Sequence, residues 1–115
     1  MHRLLVGIGL VALVSGAALA HHGWGNYDPT KVVVLEGPVL VSKYEFPHGE
    51  IVLEREGKRW TVVLAPPSRM GARGLKREDI AVGKKVKAEG YPSKVTDAEM
   101  RAERVTVDGR VIEMR

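Results

Sequence analysis

From Lys31 onward the apolar residues come in short β-branched runs separated by turn residues. That is the pattern of strands, not of helices. Lys31 to Glu45 reads as one long bent strand, with Gly37-Pro38 at a bulge or edge position. Phe46 to Gly49 is a turn, and Ile51 to Glu56 is the next strand. Gly57-Lys58 makes a tight hairpin into Arg59 to Leu64, which Pro66-Pro67 ends. Ser68 to Asp79 is sparse in apolar residues, and Gly71 and Gly74 weaken any helix by about 1 kcal/mol each relative to Ala. The spacing predicts a loop there, then a short helix near Leu75 to Ile80. Val82 to Lys84 is a turn, Val86 to Tyr91 a strand, Pro92 to Asp97 a loop, and Met100 to Val107 an alternating strand. Asp108-Gly109 is a strong hairpin signal, with Val111 to Met114 as a last short strand.

Three strands, a short helix, then two strands and a hairpin arm is the order of an all-β OB-fold, a five-stranded Greek-key barrel with one short helix. A small antiparallel sandwich is the alternative. In an OB-fold, ligands meet the loops joining strands one and two and strands four and five. Here those loops are Tyr44 to Glu50, which contains His48, and Pro92 to Glu99.

The amino-terminal pattern differs. Met1-His2-Arg3 is a short positive start, Leu4 to Val14 is apolar, and Ser15 to Ala20 is rich in small residues. This is the build of a secretory signal peptide cut after Ala20. The alternative, a retained anchor, has a span at the short edge of the roughly 17–25 residues a bilayer needs, and no positive stop follows it. The organisation expected is a cleaved leader at 1–20, an irregular arm at 21–30 and the OB-like domain at 31–115. The cleaved protein would be periplasmic or secreted, with no membrane attachment.

Composition narrows this further. A chain of 115 residues has room for one core. Its net charge of +4, reduced to +3 when Arg3 leaves with the leader, is weak evidence for any anionic partner. Nucleic acid is not expected for an exported protein. The absence of cysteine excludes disulfides, thiolate metal sites and a cysteine nucleophile.

One set of residues carries a resemblance. His21-His22-Gly23-Trp24, Pro47-His48, Trp60, Pro67, Arg69-Met70, Arg73-Gly74-Leu75, Gly90-Tyr91-Pro92-Ser93 and Glu99 to Glu103 together resemble a family of small exported bacterial proteins. That family is known only as a domain of unknown function. The resemblance implies an exported, OB-like domain and no established activity.

Function then rests on the histidines. A cut after Ala20 would start the mature chain on His21-His22, and His48 lies in the first expected ligand loop. An α-amine has a reference pKa of roughly 7.7–8.0 and imidazole roughly 6.5, so both can lose their protons near neutral pH when a metal competes. The amine and the Nδ1 of His21 can close a chelate ring, with His22 and His48 adding nitrogens. An all-nitrogen set suits Cu(II). Zn(II) is the second choice, with Asp28 or water as a further ligand. The bland alternative is an exposed terminus and a loop histidine that caps backbone groups.

A non-metal ligand or a periplasmic protein partner is the competing expectation, on a candidate ligand face of Tyr44, His48 and Tyr91. Asp97, Glu99 and Glu103 read as a solvated charge ladder, and Arg69, Arg73, Lys76 and Arg77 as a basic loop and helix face. Trp60 reads as core. No nucleophile–base arrangement is visible, so the sequence points to binding and not to catalysis.

Overall fold

The computed structural model describes residues 23–115. The leader at 1–20 and the pair His21 and His22 lie outside the described residues. The described residues are all-β, with seven strands in one sheet and one short α-helix. The strands are β1 (Val33–Pro38), β2 (Val41–Lys43), β3 (Glu50–Arg55), β4 (Lys58–Val63), β5 (Lys85–Pro92), β6 (Glu99–Val107) and β7 (Arg110–Glu113). They lie in the order β1-β5-β6-β4-β3-β2, with β7 paired to β6. The β4–β6 pair is parallel and the others are antiparallel.

The expected strand count of five becomes seven for two reasons. The long first strand is two strands, because its middle changes partner. The Val39 N–H goes to Lys84 O and the Leu40 N–H to Val52 O, both at 2.9 Å. The break therefore falls at Val39-Leu40, just after the expected Gly37-Pro38. The other is β7, the expected carboxy-terminal hairpin arm, which joins the sheet as a strand beside β6.

Alternation buries one face of each strand. Val33, Leu35, Ile51, Leu53, Val62, Val86, Ala88, Met100, Ala102, Val105 and Val107 form the core, and no polar or charged residue is buried among the described residues. Trp60 is half-buried and packs against that core, with Arg55 5.5 Å from its ring centroid. Along β6 the alternation slips by one at Glu103. Gly90 faces Ala102 while Glu89 faces Arg104, so Glu103 is the extra residue of a bulge. The slip turns Val105 and Val107 inward where strict alternation would have buried Arg104.

The helix α1 (Pro67–Ala72) precedes the region where the sequence pattern placed it. Pro67 suits a first helical turn because its missing N–H has no partner to lose there. Gly74, at φ +88°, ends the helix: its N–H goes to Gly71 O at 3.1 Å, and the Leu75 N–H reaches Met70 O at 2.8 Å. A single 3-10 turn, Arg77–Ile80, occupies the expected helical stretch and buries Ile80. None of the described helices is long and apolar enough to cross a membrane.

Candidate functional site

The arm that opens the described chain is held along the end of β5. A 3-10 turn, Trp24–Asn26, leads into a bridge between Tyr27 and Ser93. The Asp28 N–H reaches Pro92 O at 2.9 Å, and the Lys94 N–H reaches Asn26 O at 2.7 Å. Trp24 anchors the arm. The guanidinium of Arg115 lies 4.3 Å from its ring centroid and that of Arg101 4.5 Å, while Tyr91 meets it edge-on at 6.2 Å. These are cation–π and aromatic contacts of the sort that fix a ring to a surface.

Beside this arm lies a cavity of about 350 Å³. Asn26 and Tyr27 of the arm form one wall. His48 and Glu50 come from the loop after β2 and the start of β3. Ser93, Val95 and Thr96 come from the loop joining β5 to β6, Glu99 from the start of β6, and Arg101 and Val63 close the floor. Both loops that the sequence marked as ligand-facing therefore meet at one cavity.

Its chemistry is polar and mixed in sign. Tyr27 Oη donates to Glu99 Oε2 at 2.8 Å. Burial first, then the hydrogen bond and charge of Glu99, hold the Tyr27 pKa well above its ordinary value, so the phenol keeps its proton. Burial lowers the pKa of Arg101, helped by Arg69 and Arg115, but a guanidinium stays charged. His48 Nδ1 lies 3.0 Å from Gly49 O. A carbonyl can only accept, so Nδ1 carries the hydrogen, and the tautomer this contact selects has its lone pair on Nε2. Metal-ligating histidines are usually oriented by this kind of second-nitrogen contact.

The remaining candidates sit elsewhere. Tyr44 lines neither this cavity nor the one described next: its hydroxyl donates to Leu75 O at 2.6 Å, and Arg77 lies 5.3 Å from its ring centroid. Tyr91 faces the arm with Trp24. The expected face of Tyr44, His48 and Tyr91 is thus spread over three places. Asp28 accepts from Thr30 Oγ1 at 2.6 Å and from the Thr30 N–H at 3.0 Å. The three acids are also dispersed. Asp97 pairs with Lys58 at 3.0 Å, Glu99 takes the Tyr27 hydroxyl, and Glu103 pairs with Arg115 at 3.1 Å. In the basic stretch, Arg69 and Arg73 donate to the Met114 and Glu113 carbonyls at 3.0 and 2.7 Å. They clasp the carboxy-terminal strand. Among the described residues no group of three or more histidines and carboxylates is arranged to hold a metal ion.

A second cavity of about 340 Å³ lies on the other side of Tyr27. Trp24, Tyr27, Tyr91 and Pro29 line it, with Gly25, Lys94 and Arg115. The sequence pattern missed the grouping of Tyr27, Glu50, Glu99 and Arg101 around His48. One signal was available for Glu50: positions two apart in an extended chain share a face, which puts it beside His48.

The model of a family of unknown function, DUF6152, matches residues 9–103 of the chain. This protein belongs to DUF6152. The matched region includes every residue lining the first cavity. No curated protein matches the chain. Among solved structures, the crystal structure of the ZRD-deleted mutant of TiaS in complex with agmatine is similar, at TM-score 0.54 and 14% identity. The match covers 76% of this DUF6152 chain and 27% of that one, and the likeness is one of fold. The chain thus corresponds to about a quarter of that structure.

Proposed function

We propose that this is an exported copper-binding protein whose site forms where the amino-terminal arm meets the His48 loop. The observation that carries the reading is the shared cavity of His48 and the arm residues Asn26 and Tyr27. His22 stands two positions before Trp24, where the 3-10 turn begins, so it lies within about 7 Å of the anchored arm. A leader cut after Ala20 gives a terminal amine and two imidazoles at the head of that arm. His48 supplies a third imidazole, whose Nδ1 is engaged by Gly49 O and whose Nε2 is available as a donor. The nitrogen set favours Cu(II) over Zn(II). Because the described residues alone hold no three-ligand group, the reading requires the terminal pair.

The test has two parts. Intact-mass and metal analysis of protein purified from the periplasm should give a chain starting at His21 and carrying copper. Its melting temperature should fall on adding EDTA, since a ligand bound by the native state alone stabilises it. A mature protein that starts elsewhere, or a melt indifferent to chelator and to added Cu(II), would overturn the reading.

A second reading has its own support. Glu50, Glu99 and His48 place hydrogen-bond acceptors around the same cavity. A small non-metal ligand, or a periplasmic partner reaching in with a polar side chain, would use them. A melting temperature insensitive to both EDTA and copper leaves this reading standing in place of the first.

A further inference from the structure

The second cavity differs from the first in chemistry. Three aromatic rings line it, Trp24, Tyr27 and Tyr91, together with Pro29. No Asp or Glu side chain does, whereas the first cavity carries Glu50 and Glu99. Its charged lining side chains are both cations, Lys94 and Arg115, and the main-chain oxygen of Arg115 is taken by Arg73 at 3.0 Å. Arg101 adds a third positive charge at the Trp24 ring, and Arg69 is close enough to Arg101 to lower its pKa.

We infer that this cavity is a binding site for a small aromatic carboxylate, with the ring against Tyr27, Tyr91 and Pro29 beside the guanidinium-covered Trp24 and the carboxylate towards Lys94 and Arg115. Charge complementarity decides the class. An aromatic cation would meet Lys94, Arg115 and Arg101, with Glu103 as the nearby counter-charge already paired to Arg115 at 3.1 Å. A neutral aromatic would bury its ring and leave the cations solvated. A carboxylate adds charge-assisted hydrogen bonds to the same ring contact. Lys94 can swing to it, since its contact with Gly25 O is long at 3.4 Å and its side chain is exposed. Arg115 pairs with Glu103 through Nη2, so other guanidinium hydrogens remain to donate. The site shares the Tyr27 wall with the first cavity, but the proposal does not rest on a copper centre there.

Three isosteric probes test this on the mature protein: benzoate, benzyl alcohol and benzylammonium. Binding is followed by backbone and indole N–H chemical shifts. Benzoate should give saturable shifts at Trp24, Tyr91 and Lys94, and the Trp60 indole should not move. Benzyl alcohol should bind about fivefold more weakly and benzylammonium more weakly still, the scale of one partly exposed charged contact. Lys94→Ala, at an exposed position, should bring benzoate down to the affinity of benzyl alcohol. Tyr91→Ala should abolish the shifts while leaving the spectrum of β3 and β4 unchanged. Equal affinity for the three probes, shifts centred on Trp60, or full benzoate binding by the Lys94→Ala protein would each overturn the proposal.

Discussion

At Gly90 the backbone of β6 leaves no room for a side chain on β5. A Cβ built there would fall on the Arg101 carbonyl, with Ala102 Cα 2.8 Å away. Both neighbours are backbone, so no side chain can swing aside to make room. Gly90→Ala is expected to destabilise the fold by about 2–4 kcal/mol. Gly37→Ala, where nothing lies within 4 Å, should cost no more than about 0.5 kcal/mol. Urea unfolding midpoints of the two variants measure the contrast. Asp79 gives a pH dependence at the same scale. Its carboxylate accepts the Lys76 N–H at 2.8 Å and pairs with Arg110 at 3.0 Å. The backbone hydrogen bond first, and then Arg110, hold its pKa below the ordinary 3.8. The folded state therefore binds the proton less readily than the unfolded chain does. The stabilisation is complete above the carboxylate range and drains away as pH falls below about 4. Acid titration of stability should show a shallower loss in Asp79→Asn than in wild type.

At the scale of elements, the arm is the part whose attachment matters most to the site. It forms no long strand and depends on Trp24, the Tyr27 bridge and two hydrogen bonds to the β5 end. Trp24→Ala removes both guanidinium contacts and the Tyr91 edge contact together. A loss of about 1–3 kcal/mol follows from such contacts. Hydrogen exchange should quicken across residues 24–30 and stay slow in β3 and β4. Equal protection of the arm in the variant and in wild type would show that Trp24 does not anchor it. The strands themselves were legible because burial on one face imposes alternation. The helix was not. Pro66-Pro67 reads as a stop, yet Pro67 begins α1, and Gly74 is its terminator and not a weak interior residue. The split of the first strand was equally hidden, since it depends on Val39 bonding to Lys84 beside β5 while Leu40 bonds to Val52 of β3. The bulge at Glu103 shifts burial to Val105, which a strict reading of alternation from Met100 cannot anticipate.

For the molecule as a whole, sequence-distant loops had to be brought together before a site existed. His48 and the loop at 93–98 could be marked from strand order alone. Their meeting with Tyr27 and Arg101 depends on the parallel β4–β6 pairing, which joins Thr61 to Glu99 and has no local signature. The arm adds the last wall, and the proposed function turns on what the arm carries at its head. Titrating the mature protein with Cu(II) and following the visible d–d band tests that most directly. Two variants accompany wild type: His48→Ala, and a chain with one extra residue before His21. Each removes or displaces one nitrogen donor and should weaken binding about tenfold or more and shift the band. Identical affinity and identical band position in all three proteins would contradict a site shared between the arm and the His48 loop.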